Sequence, residues 1–274
     1  MDNKMFGYVV LHYNNFDDTV KCVDSLLKLD GSRFIVIVDN KSPDGSGVLL
    51  EDKYKDNDNI KTILAESNTG FSKGNNIGVN YLKNMDIKFD FVCVINNDTY
   101  VEDLKFEQKI VDSYNKEYFD VLGPKIWNVR KNFNQNPFSC PANLKETKKM
   151  LKRLKRSRRA LKISKYCYYM FNKIFKDKIS GVTAQGAAII FSSKIFYESK
   201  ELFIEKTFMY GEESLLFHRC LKENYVIKFD YDVVIFHSDG VATSKVYTNK
   251  KKKWMFQCEK MIFAYEELLK YISE

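Results

Sequence analysis

The sequence is poor in the residues that build several common kinds of site. It has three histidines and four prolines in 274 residues. Its six cysteines, Cys22, Cys93, Cys140, Cys167, Cys220 and Cys258, are scattered, and no CxxC pair occurs. Zinc-ligand spacing is therefore missing, and reduced thiols in a cytoplasmic protein are expected. No GxGxxG follows the first apolar run, and no Gly-Lys-Ser/Thr loop occurs, which argues against dinucleotide and P-loop sites. No run approaches the roughly 20 apolar residues that span a bilayer. The N-terminal run 6–11 is also too short for a signal-peptide core. Any membrane contact is expected to be peripheral, on the inner face of the plasma membrane.

What is present describes a folded α/β chain. Hydrophobic residues make up 45% and aromatic residues 15% of the sequence, enough to fill a sizeable core. The net charge of +8 is unevenly spread. Between Lys145 and Lys178 stand fourteen Lys/Arg against Glu146 and Asp177. That segment alone exceeds the net charge of the whole chain, so the remainder is mildly acidic. A basic segment of this kind asks for an anionic partner. One domain is expected over 1–274, with a basic and aromatic insert at 128–180 and a terminal helix at 249–274.

Apolar runs at 6–13, 34–40, 60–66 and 89–98 read as buried strands, and 120–127, 186–191 and 226–237 as three more. Helical spacing predicts helices over 17–29, within 69–84, over 212–224 and over 251–272. Strands this apolar need cover on both faces, so a central, mostly parallel sheet flanked by helices is predicted.

Three of these strands stop abruptly in polar residues: Tyr13-Asn14-Asn15, Asp39-Asn40 and Asn96-Asn97-Asp98. Ligands of open parallel α/β sheets sit at the carboxyl ends of strands. A carboxylate there can bind a ribose or base, or a hard cation; the plainer alternative is a turn cap. Gly70, Gly74 and Gly78 recur every fourth residue, beside Asn68, Asn75 and Asn76. They fit close approach of a ligand or tight packing of a helix on the sheet. Glu212 and Glu213 follow a glycine and open a helical pattern, which suits the helix dipole and also suits a general base. Of the histidines, His12 falls in the first strand and His218 on a helix. His237, at a strand end before Ser238-Asp239, is the best ligand candidate, and imidazole with carboxylate suits Mn²⁺ better than Mg²⁺.

The pieces VVLHYNN, IVDNKSPDGS, ESNTGFSKGNNIG, VCVINNDTYV, GPKI, QGAAIIFSSKIF, FMYGEESLLFHRCLKENY and VVIFHSDGVAT resemble, in order and spacing, family 2 glycosyltransferases. The resemblance is to the rhamnosyltransferase-like branch, and it leaves out 128–180 and the final helix. It implies the GT-A (nucleotide-diphospho-sugar transferase) fold. It also implies an inverting enzyme that moves a sugar from dTDP-rhamnose or a UDP-hexose to a hydroxyl of a glycan or polyprenyl-linked acceptor in bacterial surface-polysaccharide synthesis. By position, it assigns Tyr13, Asn14, Asp39, Asn68, Gly70, Lys73, Asn76, Asn96, Asn97, Gln185 and Gly186 to the nucleotide-sugar. Asp98 and His237 would hold a divalent cation, Mn²⁺ or Mg²⁺. Asn96 stands where the family motif has an acid, which leaves Asp98 as the motif's one carboxylate. Glu213 would be the base, with Glu212 its rival.

For the basic segment, an amphipathic helix on an anionic membrane surface is expected, its apolar component including Leu144, Met150, Leu151 and Leu154. A solvated helical hairpin is the alternative. The terminal helix packs on the core or on a second subunit of a homodimer. A polyanion- or nucleic-acid-binding protein on an α/β scaffold is the competing function, although no nucleic-acid module accompanies the charge and no nucleic-acid partner is expected.

Overall fold

The computed structural model describes residues 4–163, 179–238 and 250–274. The apolar runs become β1 (Met5–His12), β2 (Ser32–Asp39), β3 (Ile60–Leu64) and β4 (Phe91–Asn96), followed by the short β5 (Thr99–Tyr100) and by β6 (Val121–Asn128). Two short strands, β7 (Phe133–Asn134) and β8 (Phe138–Cys140), precede β9 (Gly181–Thr183), β10 (Ala188–Ser192) and β11 (Ile227–His237). The main sheet runs β3-β2-β1-β4-β10-β6-β11-β5, with β7 on β6, and β8 pairs with β9 separately. Pairing is parallel from β3 to β4 and again between β6 and β11. β10 runs antiparallel between β4 and β6, so the second half of the sheet is mixed.

Eight helices accompany this sheet among the described residues: α1 (Phe16–Leu27), α2 (Ser46–Tyr54), α3 (Gly70–Lys83), α4 (Phe106–Lys116), α5 (Leu144–Ile163), α6 (Ser193–Glu198), α7 (Glu212–Glu223) and α8 (Lys250–Ser273). Strand alternation divides the core between two faces. Phe6, Tyr8 and Val10 of β1 pack with Val23 and Leu26 of α1, Leu50 of α2 and Phe106 and Ile110 of α4. Val9, Val36, Val38 and Val92 face Val79 and Leu82 of α3, Phe196 of α6 and Leu216 of α7. α2 and α4 are absent from the sequence reading. α2 shows little amphipathic patterning: its Val48 and Leu49 are exposed while Ser46 and Gly47 are buried.

The insert differs from its prediction in two ways. Its first part is woven into the body, because β7 pairs with β6 and β8 with β9. The apolar residues of α5 face inward. Met150, Leu151 and Leu154 are buried against Cys258, Met261, Ile262 and Leu268 of α8, with Leu215 of α7 in the same cluster. These side chains are therefore not available to a leaflet, and the terminal helix packs on its own chain. The aromatics Tyr166, Tyr168, Tyr169, Phe171 and Phe175, and Cys167, lie outside the described residues. The five described cysteines are free and buried. No described helix is long and apolar enough to cross a membrane.

Candidate active site

The register of the parallel strands builds the site's first edge. His12 pairs with Asp39, and Leu11 with Asn96, so Tyr13-Asn14, Asp39-Asn40 and Asn96-Asn97-Asp98 leave the sheet side by side. Short polar side chains then stitch these exits together. Asp39 Oδ1 accepts the Ser42 amide at 3.0 Å and its hydroxyl at 2.5 Å. Ser42 Oγ accepts the Asn14 amide at 2.8 Å. The Asn14 carbonyl accepts from Asn97 Nδ2 at 3.3 Å. Asn14 holds a left-handed backbone, φ 59°, which asparagine tolerates better than most residues. Its Oδ1 is buried without a hydrogen-bond partner, an acceptor left open at this edge.

His12, which the sequence reading left without a role, lies beneath this edge. Its Nδ1 is 2.7 Å from Thr19 Oγ1 and its Nε2 is 2.7 Å from Ser46 Oγ. Asn97 Nδ2 donates to the same Thr19 hydroxyl at 2.9 Å. Burial lowers the proton affinity of the imidazole, against the pull of Asp39 and Asp44. The fully buried ring thus ties the Asp39 loop to the Asn97 turn.

The second edge is the turn into α3. Asn40 Nδ2 donates to Asn68 Oδ1 at 3.1 Å and to the Gly70 carbonyl at 3.0 Å, while its Oδ1 accepts the Thr69 amide. Gly70 has φ +82°, and a Cβ there would come within 2.0 Å of the Phe208 carbonyl oxygen. The Phe71 amide donates to that carbonyl at 2.8 Å, which brings the start of α3 to the segment leading into α7. Gly78 serves packing instead, since a Cβ would meet Val9 Cγ1 at 2.6 Å, beneath α3 on the sheet. Lys73 is exposed on the first turn of α3. Asn76 corrects an expectation. It is buried, donates to the Phe203 carbonyl at 2.7 Å and accepts the Phe203 amide at 3.1 Å. Its amide ties α3 to the 203–205 segment and is not free for a nucleotide.

On the third side, antiparallel pairing of β5 with β11 sets His237 opposite Thr99, next to Asp98. His237 Nε2 lies 3.2 Å from Asp98 Oδ1. Its Nδ1 is 2.6 Å from Gln135 Oε1, an acceptor, so Nδ1 carries hydrogen. Nε2 and the carboxylate then face each other across a proton or a cation. Gln135 was not foreseen, because it comes from the insert 102 residues away in sequence. Among the described residues no group of three His, Cys, Asp or Glu converges.

The fourth side carries the acids. Tyr210 and Gly211 are both left-handed, φ 70° and 86°, and they turn the chain into α7. The Gly186 amide donates to Glu213 Oε1 at 3.3 Å. Gln185 holds that loop from both ends. Its amide donates to Asn136 Oδ1 and its Oε1 accepts the Ala187 amide, each at 2.8 Å. The Ala187 carbonyl accepts the Asn96 amide at 2.9 Å, which joins this side to the first edge. Glu212 is buried and its Oε2 has no hydrogen-bond partner. Burial, then the neighbouring charge of Glu213, raises the Glu212 carboxyl well above the usual carboxylate range. Burial also raises Glu213, but the Gly186 N–H and its own backbone amide oppose the rise. Glu213 thus accepts an N–H that favours its anion, while Glu212 Oε2 has no such donor.

The sheet and its flanking helices are those of the nucleotide-diphospho-sugar transferases, the GT-A fold. The chain belongs to Glycosyl transferase family 2, whose sequence pattern matches residues 8–192. The chain is 28% identical over 120 residues to the uncharacterized glycosyltransferase EpsJ of Bacillus subtilis (strain 168), a match spanning 43% of this chain and 33% of EpsJ. Residues 1–349 of S. aureus TarS superpose with a TM-score of 0.56 at 17% identity, over 85% of this chain and 60% of that one. The TarS complex with UDP gives 0.54 at 16% identity, over 98% and 70%. A mannosyltransferase from Pyrobaculum calidifontis, PcManGT, in complex with GDP-Man and Mn²⁺, gives 0.55 at 11% identity, over 98% and 72%. The family match favours a glycosyltransferase over the competing identity, a polyanion-binding protein on an α/β scaffold.

Proposed function

We propose that the protein is an inverting transferase that moves a sugar from a pyrimidine nucleotide donor, dTDP-rhamnose or a UDP-hexose, to a hydroxyl of a glycan or polyprenyl-linked acceptor. The acceptor class places it in bacterial surface-polysaccharide synthesis. The observation that carries this is the unbroken hydrogen-bond path from Asp39 through Ser42, Asn14 and Asn97 to the Asp98 turn, and on through Asn96 and Ala187 to the loop that holds Glu213. Asp39 and the Tyr13-Asn14 turn bind the nucleoside. Asn68, Gly70, Lys73 and Asn96 flank the donor, with the Gln185-Gly186 loop under its sugar.

Asp98 and His237 have the donor set for Mn²⁺ or Mg²⁺, and the hydrogen bond from His237 Nδ1 to Gln135 fixes Nε2 as the ligating nitrogen. A bound cation would neutralise charge on the departing diphosphate. Glu213 takes the proton of the acceptor hydroxyl as its oxygen attacks the anomeric carbon from the face opposite the leaving group. Desolvation makes Glu213 a stronger base than a surface glutamate, while its bond from the Gly186 amide aims it. Glu212, protonated beside it, leaves Glu213 as the pair's anion.

The test is release of nucleoside diphosphate from UDP- and dTDP-sugars with Mn²⁺, with and without an acceptor. The reading expects turnover by the wild type and its loss in Glu213→Gln with donor affinity retained. Equal turnover by Glu213→Gln removes that residue from the chemistry.

A further inference from the structure

The function proposed above makes no use of the outer face of α5. That helix has two faces of opposite character. Thr147, Met150, Leu151, Leu154 and Ser157 are buried, and Cys258 Sγ reaches the Leu154 carbonyl at 3.5 Å. The opposite face exposes Lys145, Lys148, Lys152, the adjacent Lys155 and Arg156, and Arg159, on successive turns of the helix. At the helical rise this row extends about 21 Å. A shallow groove of about 420 Å³ runs beside it, lined by Lys148, Leu151, Lys152, Lys155, Arg156 and Arg159. Lys155 pairs with Glu266 at 2.6 Å. Among the described residues no carboxylate pairs with Lys148, Lys152, Arg156 or Arg159. The helix's one acid, Glu146, is spent on Ser180 and the Ala142 amide.

Four cations without a carboxylate partner among the described residues, held in line on one helix, repel each other, and an anionic partner relieves that cost. We infer that the outer face of α5 docks the enzyme onto the anionic phosphate headgroups of a membrane surface. Three features favour a lipid surface over a soluble polyanion. The row is straight and presented on the outside of a helix, where many headgroups can meet it together. Most of its charges are lysine ammonium groups, which attract phosphate as point charges without the planar fork of an arginine-rich recognition site. The sequence that continues α5 interleaves lysines with Tyr166, Tyr168, Tyr169, Phe171 and Phe175, a composition that suits the headgroup level of a bilayer. Binding here is electrostatic, because the helix's own apolar side chains are committed to α8.

The placement also has a consequence for acceptor choice. α8 packs on both α5 and α7: its Ala264 Cβ would lie 2.7 Å from a Cβ on Gly211, the residue before Glu212, and Tyr265 is buried in the same layer. The helix that meets the membrane is thus one layer from the helix that carries the proposed base. A surface-docked enzyme would meet acceptors anchored in that surface.

The experiment is co-sedimentation of the full chain with vesicles of neutral phosphatidylcholine, alone or with about one-third phosphatidylglycerol, at low and high salt. Expected is binding to the anionic vesicles alone, weakening at least about tenfold as salt rises from about 0.1 M to about 0.5 M. The triple variant Lys152→Glu, Arg156→Glu, Arg159→Glu is expected to lose well over a hundredfold in affinity. The gentler Lys152→Gln, Arg156→Gln, Arg159→Gln variant should fall between the two. Both variants should keep wild-type donor turnover, because none of the three residues lies at the site. Equal binding to neutral vesicles, undiminished binding by the triple variant, or binding to inorganic polyphosphate without binding to vesicles would each overturn the inference. A catalytically silent protein that binds vesicles as described would refute the sugar-transfer reading and leave this one standing.

Discussion

The carboxyl edge of the sheet and the α5–α8 layer are held together by different physics. At the edge, the short polar side chains of Asn40, Ser42 and Asn97 are hydrogen-bonded to backbone across long sequence separations, and Ser42 in turn holds Asp39. In the α5–α8 layer, the contact is apolar side chain against apolar side chain, with charge turned outward. The edge resembles a rigid frame whose groups are fixed before a ligand arrives, and such preorganisation is what electrostatic catalysis requires. The layer is a packed support, tolerant of conservative change inside and of most change outside. Substitutions at the edge should therefore disturb chemistry far more than stability, and substitutions in the layer the reverse.

The largest expected effect is on Glu213. Glu213→Gln should cut turnover by roughly 10²–10⁴ while leaving the donor KM within a few-fold, in a steady-state assay of diphosphate release. The pH profile sharpens the same point. A base needs its anionic form, so activity should rise with pH through a midpoint displaced upward from the ordinary carboxylate range, the direction in which burial moves Glu213. A midpoint at or below that of a surface glutamate would contradict the geometry.

Next comes Gln135. Removing its carbonyl in Gln135→Leu frees the His237 tautomer, and Mn²⁺ affinity should fall about 10- to 100-fold by titration with a nucleoside diphosphate present. Thermal stability should change little.

The third prediction crosses the comparison. Leu154 is fully buried between α5 and α8. Leu154→Ala should cost about 2–5 kcal/mol of stability in denaturant unfolding. Donor KM should stay near the wild-type value at temperatures where the variant is folded.

The smallest effect is expected at Glu212, whose folded-state carboxyl holds its proton well above the usual range. The unfolded glutamate releases its proton near the ordinary value, so above that pH the buried acid destabilises the fold increasingly. Glu212→Gln, which keeps the shape without the charge, should raise the melting temperature at neutral pH. That gain should vanish below about pH 4, where both states of the wild type are protonated.

The same division explains what could be read from the sequence. Strands whose apolar runs end in Asn or Asp announce both a buried sheet and a polar carboxyl edge, because burial and ligand placement follow from one topology. Asp39 and Asp98 stand out on that ground, and Glu213 because it opens a helical pattern after a glycine. Their supports do not. Gln135 and Asn136 look like ordinary loop residues, and only the pairing of β7 with β6 and the return of the chain through β9 bring them to His237 and Gln185. Asn76 sits within a suggestive Asn-Gly pattern, yet its neighbour in space is Phe203, which no local spacing reveals. α2 escaped because its exposed Val48 and Leu49 and buried Ser46 and Gly47 reverse the usual periodicity. In α5 the charge was plain, but the partner of its apolar stripe was a helix about a hundred residues further on.

The central claim is that Asp39, the Asp98–His237 pair and Glu213 form one donor site. Thermal-shift titration with UDP, dTDP and GDP, with and without Mn²⁺, tests it most directly. The account predicts stabilisation by UDP or dTDP that requires Mn²⁺, is abolished in Asp98→Ala, is weakened in Asp39→Ala, and is retained in Glu213→Gln. Nucleotide stabilisation that needs no cation and survives Asp98→Ala would contradict it.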